Sequence, residues 1–134
     1  MVSLGGERCL LSHQQMNSPY RVGPYGIDIR GFENFLDSIS FSNPHNRLVI
    51  IDEIGKMECF SSRFKKLVRE ALDSEKWVIA TVAFKGEGLI AEVKTRQDIM
   101  LFEITKRNRD SSFPEILRGV KIGSGRSDPE KESK

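Results

Sequence analysis

The sequence predicts an α/β protein whose sheet has mainly parallel strands flanked by helices, with a β-hairpin at its N-terminal end. Residues 48–51, a continuous apolar run, and residues 77–83, a mainly apolar segment, are typical of strands that are buried on both faces of a parallel sheet. Between them, residues 64–72 carry apolar side chains at helical spacing. Because strands and helices alternate from residue 48 onward, we expect the strands to run parallel.

The N-terminal segment carries strand and turn patterns. We predict that residues 8–11 and 20–22 pair as two strands across the polar link 12–19. Residues 23–26 (Gly-Pro-Tyr-Gly) indicate a turn, and residues 27–29 then alternate between apolar and polar side chains. The hairpin is therefore expected to precede the first helix.

Helical spacing and capping residues predict four helices, three of them at residues 31–39, 89–95 and 112–117. The fourth contains the apolar residues of segment 64–72 and begins at a cap supplied by Ser61 or Ser62. A third strand is predicted at residues 99–104. Trp77 is expected to pack in the core, and Cys59 is expected to pack rather than react.

Length, charge and cysteine content limit the class of protein. The chain of 134 residues fits one domain, assigned to residues 1–120, and the polar residues 121–134 are expected to form a disordered tail. The net charge of +2 is too even to indicate a specific nucleic acid or a membrane as partner. We see no secretory signal, no apolar membrane span and no paired cysteine motif, so we expect an intracellular protein, cytoplasmic by default.

The segment with the most chemical information lies at the end of the first apolar run, where residues 48–51 are followed by Asp52 and Glu53. Ligands of open α/β sheets bind beyond the carboxyl ends of the strands. Four apolar residues and an aspartate match the Walker B pattern, in which the aspartate holds Mg²⁺. On this interpretation Asp52 is the metal residue and Glu53 is the catalytic base that orients or deprotonates water. The alternative is an acidic turn without function.

Residues 52–58 (Asp-Glu-Ile-Gly-Lys-Met-Glu) resemble the signature of a family of small P-loop nucleoside-triphosphatases first described from thermophiles. Residues 20–28 and the Thr-x-x-Asn-Arg-Asp motif at 105–110 are similar to two further segments of that family, in the expected order. The resemblance covers roughly residues 5–120. It implies a RecA-like P-loop fold, Mg²⁺ as cofactor and slow hydrolysis of nucleoside triphosphates such as ATP and GTP.

Lys56, Asn108 and Arg109 complete the predicted site. Asn108 and Arg109 follow the predicted third strand and are expected at the sheet edge of the acidic pair, where they would bind the nucleotide base or phosphates. The alternative is a solvated basic turn. Lys56 would reach a phosphate in a catalytic role, or would form a surface ion pair with Glu53 or Glu58.

The glycine-rich phosphate loop of this class, Gly-x-x-x-x-Gly-Lys-Ser/Thr, is absent from the 134 residues. Gly55-Lys56 is the one Gly-Lys pair, but Ile50 stands where the first glycine is needed and Met57 follows the lysine. We therefore expect an N-terminally truncated isoform or incomplete gene model, without the first strand and the P-loop helix, and with little or no turnover. Residues 48–51 would then present an unpaired apolar edge, so we expect poor stability or self-association.

Two other functions stay open. The first is a non-catalytic interaction module that pairs its open sheet edge with a second copy or a full-length paralogue. The second is RNA binding, which rests on charge alone. It would use the basic residues Lys94, Arg96, Lys106, Arg107 and Arg109.

Overall fold

The structure is a computed structural model that describes residues 1–124, so the greater part of the predicted tail, residues 125–134, lies outside the described residues. The chain divides into two compact units, Met1–Thr95 and Arg96–Lys134. Its strands are β1 (Ser12–His13), β2 (Arg21–Val22), β3 (Tyr25–Ile27), β4 (Leu48–Ile54) and β5 (Trp77–Val82). Its helices are α1 (Ile29–Asp37), α2 (Ser62–Asp73), α3 (Leu89–Thr95) and α4 (Phe113–Ser124), with a 3₁₀ turn at Glu58–Phe60.

The N-terminal sheet has three antiparallel strands in the order β1-β3-β2. The predicted hairpin exists, but the predicted pairing of residues 8–11 with 20–22 is wrong, because both β1 and β2 pair with β3. Gly23 and Pro24 form a two-residue link that lets β2 fold back directly onto β3. Gly23 has a φ of 55°, a left-handed conformation that glycine adopts without a steric penalty. The short turn therefore pairs β2 with β3 rather than with residues 8–11.

Helix α1 begins two residues before the predicted start. Asp28 caps the helix, and its Oδ1 accepts a hydrogen bond from the Gly31 N–H at 2.9 Å. The apparent strand alternation of residues 27–29 is thus the end of β3 followed by a helix cap. Phe32, Phe35 and Leu36 are buried, as predicted from their spacing.

Strands β4 and β5 are parallel, as predicted, with Leu48 opposite Trp77 and Ile50 opposite Ile79. The prediction that these strands are buried on both faces is wrong. Those four side chains share one face of the two-stranded sheet and are between 38% and 52% exposed, whereas Val49, between them in sequence, is buried. In the described part of the chain the sheet therefore has one covered face, and Trp77 does not lie in the core.

The junction between α1 and α2 is built around Ser61, which is fully buried. Its Oγ accepts the Phe64 N–H at 3.0 Å and donates to Glu33 Oε1 at 2.7 Å, so that one hydroxyl caps α2 and binds α1. Beside it the rings of Phe32 and Phe64 pack with their centroids 5.6 Å apart. The predicted cap at Ser61 is confirmed.

Helices α2 and α3 are joined by a bidentate ion pair. Arg69 Nε and Nη2 donate to the two carboxylate oxygens of Glu92 at 2.9 and 2.8 Å. The bounds of α3 are those predicted. No helix among residues 1–124 is long and apolar enough to cross a membrane.

In the second unit the predicted strand at residues 99–104 is not formed. A strand needs a neighbour to bind its backbone groups, and residues 1–124 supply none here. Helix α4 begins directly after Ser112, as predicted, and Ser112 O accepts the Glu115 and Ile116 N–H groups. The helix runs to Ser124 rather than ending at Leu117, so it includes the first residues of the predicted tail.

Replacing Ser61 by alanine removes the cap of α2 and leaves the Glu33 carboxylate without that donor. We expect the free energy of unfolding, measured by urea denaturation, to fall by about 1–2 kcal/mol. The matched control is Ser62→Ala at the exposed first residue of α2, which should change stability by less than about 0.5 kcal/mol. Equal losses in the two variants would contradict the capping role.

Candidate functional site

The acidic pair lies at the carboxyl end of β4, as predicted. Asp52 and Glu53 are exposed, and the register of β4 with β5 is interrupted between Ile51 and Ile54 at this point. The peptide bond between Asp52 and Glu53 is cis. Pairing resumes at Ile54, whose carbonyl accepts the Ala83 N–H at 3.0 Å. Both carboxylates therefore stand at the sheet edge where ligands of α/β proteins bind.

Asp52 is oriented by a side chain of the neighbouring strand. Thr81 Oγ1 on β5 donates to Asp52 Oδ1 at 2.8 Å. Thr81 was not among the predicted site residues, although its place near the end of the adjacent parallel strand was a usable signal. The hydroxyl fixes the position of one carboxylate oxygen through a neutral donor.

Two carboxylates flank Gly55, which is buried. A Cβ atom at this position would lie 2.8 Å from Glu53 Oε1 and 2.8 Å from Glu58 Oε2, so that the missing side chain makes room for both. Glu58 is half-buried at the start of the 3₁₀ turn. Burial raises the pKa of Glu58, and the nearby charges of Glu53 and Asp52 raise it further. Glu58 is therefore a third carboxyl group of the site. From the sequence it was expected only as a possible ion-pair partner of Lys56.

Lys56 is exposed and, among the described residues, forms no ion pair with Glu53 or Glu58. The alternative of a surface ion pair with Glu53 or Glu58 is therefore not formed among the described residues, and the site role of Lys56 stays a prediction. Lys56 instead lines a cleft of about 350 Å³ together with Glu53, Gly55 and Glu58. A cation beside this cleft offers a contact for an anionic ligand.

The acidic residues suit a hard cation that takes most of its ligands from water and from phosphate oxygens. Within residues 1–124 no group of three or more His, Cys, Asp or Glu side chains is arranged to hold a metal ion. Magnesium is commonly bound by one or two carboxylates, several waters and phosphate oxygens. The exposed carboxylate of Asp52 fits that mode, because Thr81 holds one oxygen and the other is a hard donor.

The remaining predicted site residues, Asn108 and Arg109, belong to the second unit. Both ends of the Asn108 amide are bound within its own loop, since Oδ1 accepts the Thr105 N–H at 2.7 Å and Nδ2 donates to Glu103 O at 2.8 Å. Thr105 Oγ1 in turn accepts the Asn108 N–H at 3.3 Å. Asn108 thus shapes the loop, as Asx-type turns do. Arg109 is exposed, with its Nε 3.5 Å from Asp110 Oδ1.

Cys59 follows Glu58 in the 3₁₀ turn and is partly buried. Burial and the charge of Glu58 raise the pKa of its thiol, which keeps it protonated and weakly nucleophilic. This agrees with the prediction that Cys59 packs rather than reacts.

Comparisons with known proteins agree with the resemblance seen in the sequence. A family model described as NTPase matches residues 1–117. The nucleoside-triphosphatase THEP1 of Thermotoga sp. is 36% identical over 126 residues, which cover 93% of this chain and 72% of that protein. The human cancer-related nucleoside-triphosphatase is 35% identical over an alignment that covers 90% of this chain and 70% of that protein.

Two solved structures are similar to this one. The crystal structure of THEP1 from Aquifex aeolicus gives a TM-score of 0.77 at 29% identity and covers 90% of this chain and 74% of that chain. The solution structure of the human cancer-related nucleoside triphosphatase gives 0.68 at 34% identity, with coverages of 90% and 71%. The α/β fold predicted from the sequence is therefore confirmed.

Glu58 gives the site a pH-dependent stability. Because its pKa is raised in the folded state, its ionised form opposes folding, and that penalty is absent at pH values below the pKa of an unfolded glutamate. We expect Glu58→Gln to raise the melting temperature at pH 7–8, measured by calorimetry, and to have no effect near pH 3. Glu75→Gln, an exposed carboxylate ahead of β5, is the control, and an equal rise there would contradict the cause given.

Proposed function

Because the chain belongs to the NTPase family whose model it matches, we propose that it carries the metal-binding and water-activating residues of a nucleoside-triphosphatase site at the carboxyl end of β4. Homologues named nucleoside-triphosphatase, 35–37% identical over most of the chain, support this. The observation that carries the proposal is the adjacency of Asp52, held by Thr81, and exposed Glu53 beside the cleft. The finer assignment to a RecA-like P-loop sheet without its first strand and P-loop helix stays a prediction.

In the proposed site Asp52 would hold Mg²⁺ through its carboxylate, directly or through water, and Thr81 fixes the orientation of that carboxylate. When bound, Mg²⁺ neutralises charge on the phosphate oxygens. The second carboxylate, Glu53, accepts the proton of a water molecule as its oxygen attacks the γ-phosphorus. The bond from that phosphorus to the bridging oxygen breaks, and the products are the nucleoside diphosphate and phosphate.

Cationic groups complete the proposal. Lys56 contacts a phosphate oxygen from the rim of the cleft, since among the described residues it forms no ion pair with a carboxylate. Asn108 and Arg109 serve as the nucleotide-binding pair of their motif, with Asn108 shaping the loop and Arg109 supplying charge. Because the 134 residues contain no glycine-rich phosphate loop, we expect slow turnover by this chain alone.

Two substitutions separate metal binding from water activation. Glu53→Gln should lower Mg²⁺-dependent phosphate release from ATP or GTP by about 100-fold or more, because the base is lost. It should leave intact the paramagnetic broadening of NMR signals from residues 52–56 by Mn²⁺ with a non-hydrolysable ATP analogue. Asp52→Asn should remove both the turnover and the broadening.

Glu75→Gln is the control for these measurements, since residue 75 precedes β5 and lies at the opposite end of the parallel pair. A turnover rate that is equal in the unsubstituted chain and in Glu53→Gln would refute the assignment. So would Mn²⁺ broadening that Asp52→Asn leaves unchanged. The Mn²⁺ broadening tests the assignment of Asp52 as the metal residue even when turnover is close to background.

A second candidate function is self-association through the open edge of β4. Among residues 1–124, β4 has β5 as its one hydrogen-bonded neighbour. The Trp77 N–H donates to Arg47 O at 2.9 Å, so every second residue of β4, counted from Arg47, directs its backbone groups towards β5. The backbone groups of Leu48 and Ile50 therefore point to the edge of β4 that faces away from β5. An antiparallel register with Ile50 opposite the second copy's Ile50 would place Arg47 opposite the second copy's Glu53. The backbone groups of Leu48 and Ile50 thus offer an edge to which a second copy can pair.

Ile50→Lys should suppress this association, because it places a charge in the centre of the pairing edge and of the exposed apolar face. We expect sedimentation velocity at micromolar concentrations to show dimers for the unsubstituted chain and monomers for the variant. Leu4→Lys, at a 96% exposed leucine outside the sheet, should still dimerise. A chain that stays monomeric at all concentrations would rule out this function.

A further inference from the structure

The half-buried carboxyl group of Glu58 lies in the wall of the cleft that also contains Glu53 and Lys56, and the function proposed above does not use it. Among the described residues Glu58 forms no ion pair, and burial raises its pKa. A carboxyl group held in this way lowers stability at neutral pH, so stability does not explain its position. Groups of this kind are common at functional sites.

The distances around Gly55 place the carboxylates of Glu53 and Glu58 close together. A Cβ atom at residue 55 would lie 2.8 Å from Glu53 Oε1 and 2.8 Å from Glu58 Oε2, so the two oxygens are separated by no more than twice that distance. A water molecule that donates a hydrogen bond of about 2.8 Å to each of two acceptors holds them closer than this limit, because its two O–H bonds are not collinear. One water molecule can therefore bridge the two carboxylates.

Backbone hydrogen bonds fix the place of Glu58 in the turn. The Cys59 N–H donates to Gly55 O at 3.1 Å and closes the turn, and the Ser61 N–H donates to Glu58 O at 3.0 Å. Ser61 is itself fully buried, and its hydroxyl donates to Glu33 on α1. The chain therefore brings Glu58 back to Gly55 through a short hydrogen-bonded segment, which holds its side chain opposite Glu53.

We propose that Glu58 is a further catalytic residue, which holds the attacking water molecule together with Glu53, each carboxylate accepting one hydrogen bond from that water. This inference rests on the proposed function, in which Glu53 is the base. When both O–H bonds are directed at carboxylates, the lone pairs of the water oxygen remain available to the γ-phosphorus. The water molecule is then oriented before it reacts, which lowers the entropic cost of the attack.

The two hydrogens of the water molecule have different fates in this step. The water oxygen forms a bond to the γ-phosphorus, and the hydrogen that is bonded to Glu53 moves to that carboxylate as a proton. The hydrogen directed at Glu58 stays on the attacking oxygen and leaves with the phosphate. The electron pair of the broken phosphorus–oxygen bond passes to the bridging oxygen of the nucleoside diphosphate. Glu58 thus acts as a hydrogen-bond acceptor and does not take a proton.

The bound water is tested by NMR without any nucleotide. One Cα hydrogen of Gly55 points along the direction of the missing Cβ and so towards both carboxylate oxygens. We expect a rotating-frame cross-peak between water and this hydrogen in ¹³C-edited spectra. Glu58→Ala should remove the cross-peak, whereas Glu75→Ala, at an exposed glutamate ahead of β5, should keep it. A cross-peak that is absent from the unsubstituted chain, or that Glu58→Ala leaves unchanged, would overturn the proposal.

Phosphate release from ATP or GTP supplies the kinetic test. Glu58→Ala should lower kcat about tenfold or more with little change in KM, because the water loses one hydrogen bond to a charged acceptor. Glu58→Gln keeps a carbonyl acceptor and should lose less. The double variant Glu53→Gln/Glu58→Ala should be no slower than Glu53→Gln alone, since both residues act on the same water molecule. Losses that multiply in the double variant would indicate a separate structural effect and overturn the proposal.

The proposed function and this inference fail in different ways. Turnover that Glu53→Gln leaves unchanged refutes the proposed function. Turnover that depends on Glu53 but not on Glu58 refutes this inference alone. If Glu58→Ala does not fold, Glu58→Met, which keeps the length of the side chain without an oxygen acceptor, takes its place with the same expected results.

Discussion

The parallel pairing of β4 with β5 is the constraint on which the candidate site depends. Parallel strands bring their carboxyl ends to the same edge of a sheet, and this places Thr81 beside Asp52 although 29 residues separate them. The pairing also fixes the start of the turn that carries Gly55 and Lys56. The junction at Ser61 then holds the following helix against α1, so that the turn is anchored at both ends.

The three carboxyl groups at this turn differ in their exposure to solvent and therefore in what they can contact. Asp52 and Glu53 are exposed and can meet a cation or water, whereas Glu58 is half-buried and its pKa is raised. Gly55 permits the crowding, since any side chain there would meet Glu53 and Glu58. The resulting arrangement places two exposed carboxyl groups at the solvent edge and a half-buried one with a raised pKa behind them.

Much of the first unit could be predicted from periodicity and capping patterns. The parallel strands, α3 and the Ser61 cap follow from local sequence, as does the position of Asp52 and Glu53. Other features depend on contacts between distant segments, which periodicity does not reveal. An apolar run such as residues 99–104 becomes a strand only if a neighbour pairs with it, and the exposed face of β4 depends on what covers the sheet. The orientation of Asp52 likewise rests on Thr81, a partner 29 positions away that only the fold identifies.

The exposed face of the sheet carries the one tryptophan of the chain, Trp77, which lies opposite Leu48. Indole emission responds to the polarity around the ring, so the intrinsic fluorescence of the protein reports directly on this face. A molecule that settles over the sheet will move the emission to shorter wavelength, whereas one that occupies only the cleft at the carboxyl end of β4 will leave it unchanged. The fold thus contains its own optical label for the surface that the described residues leave uncovered.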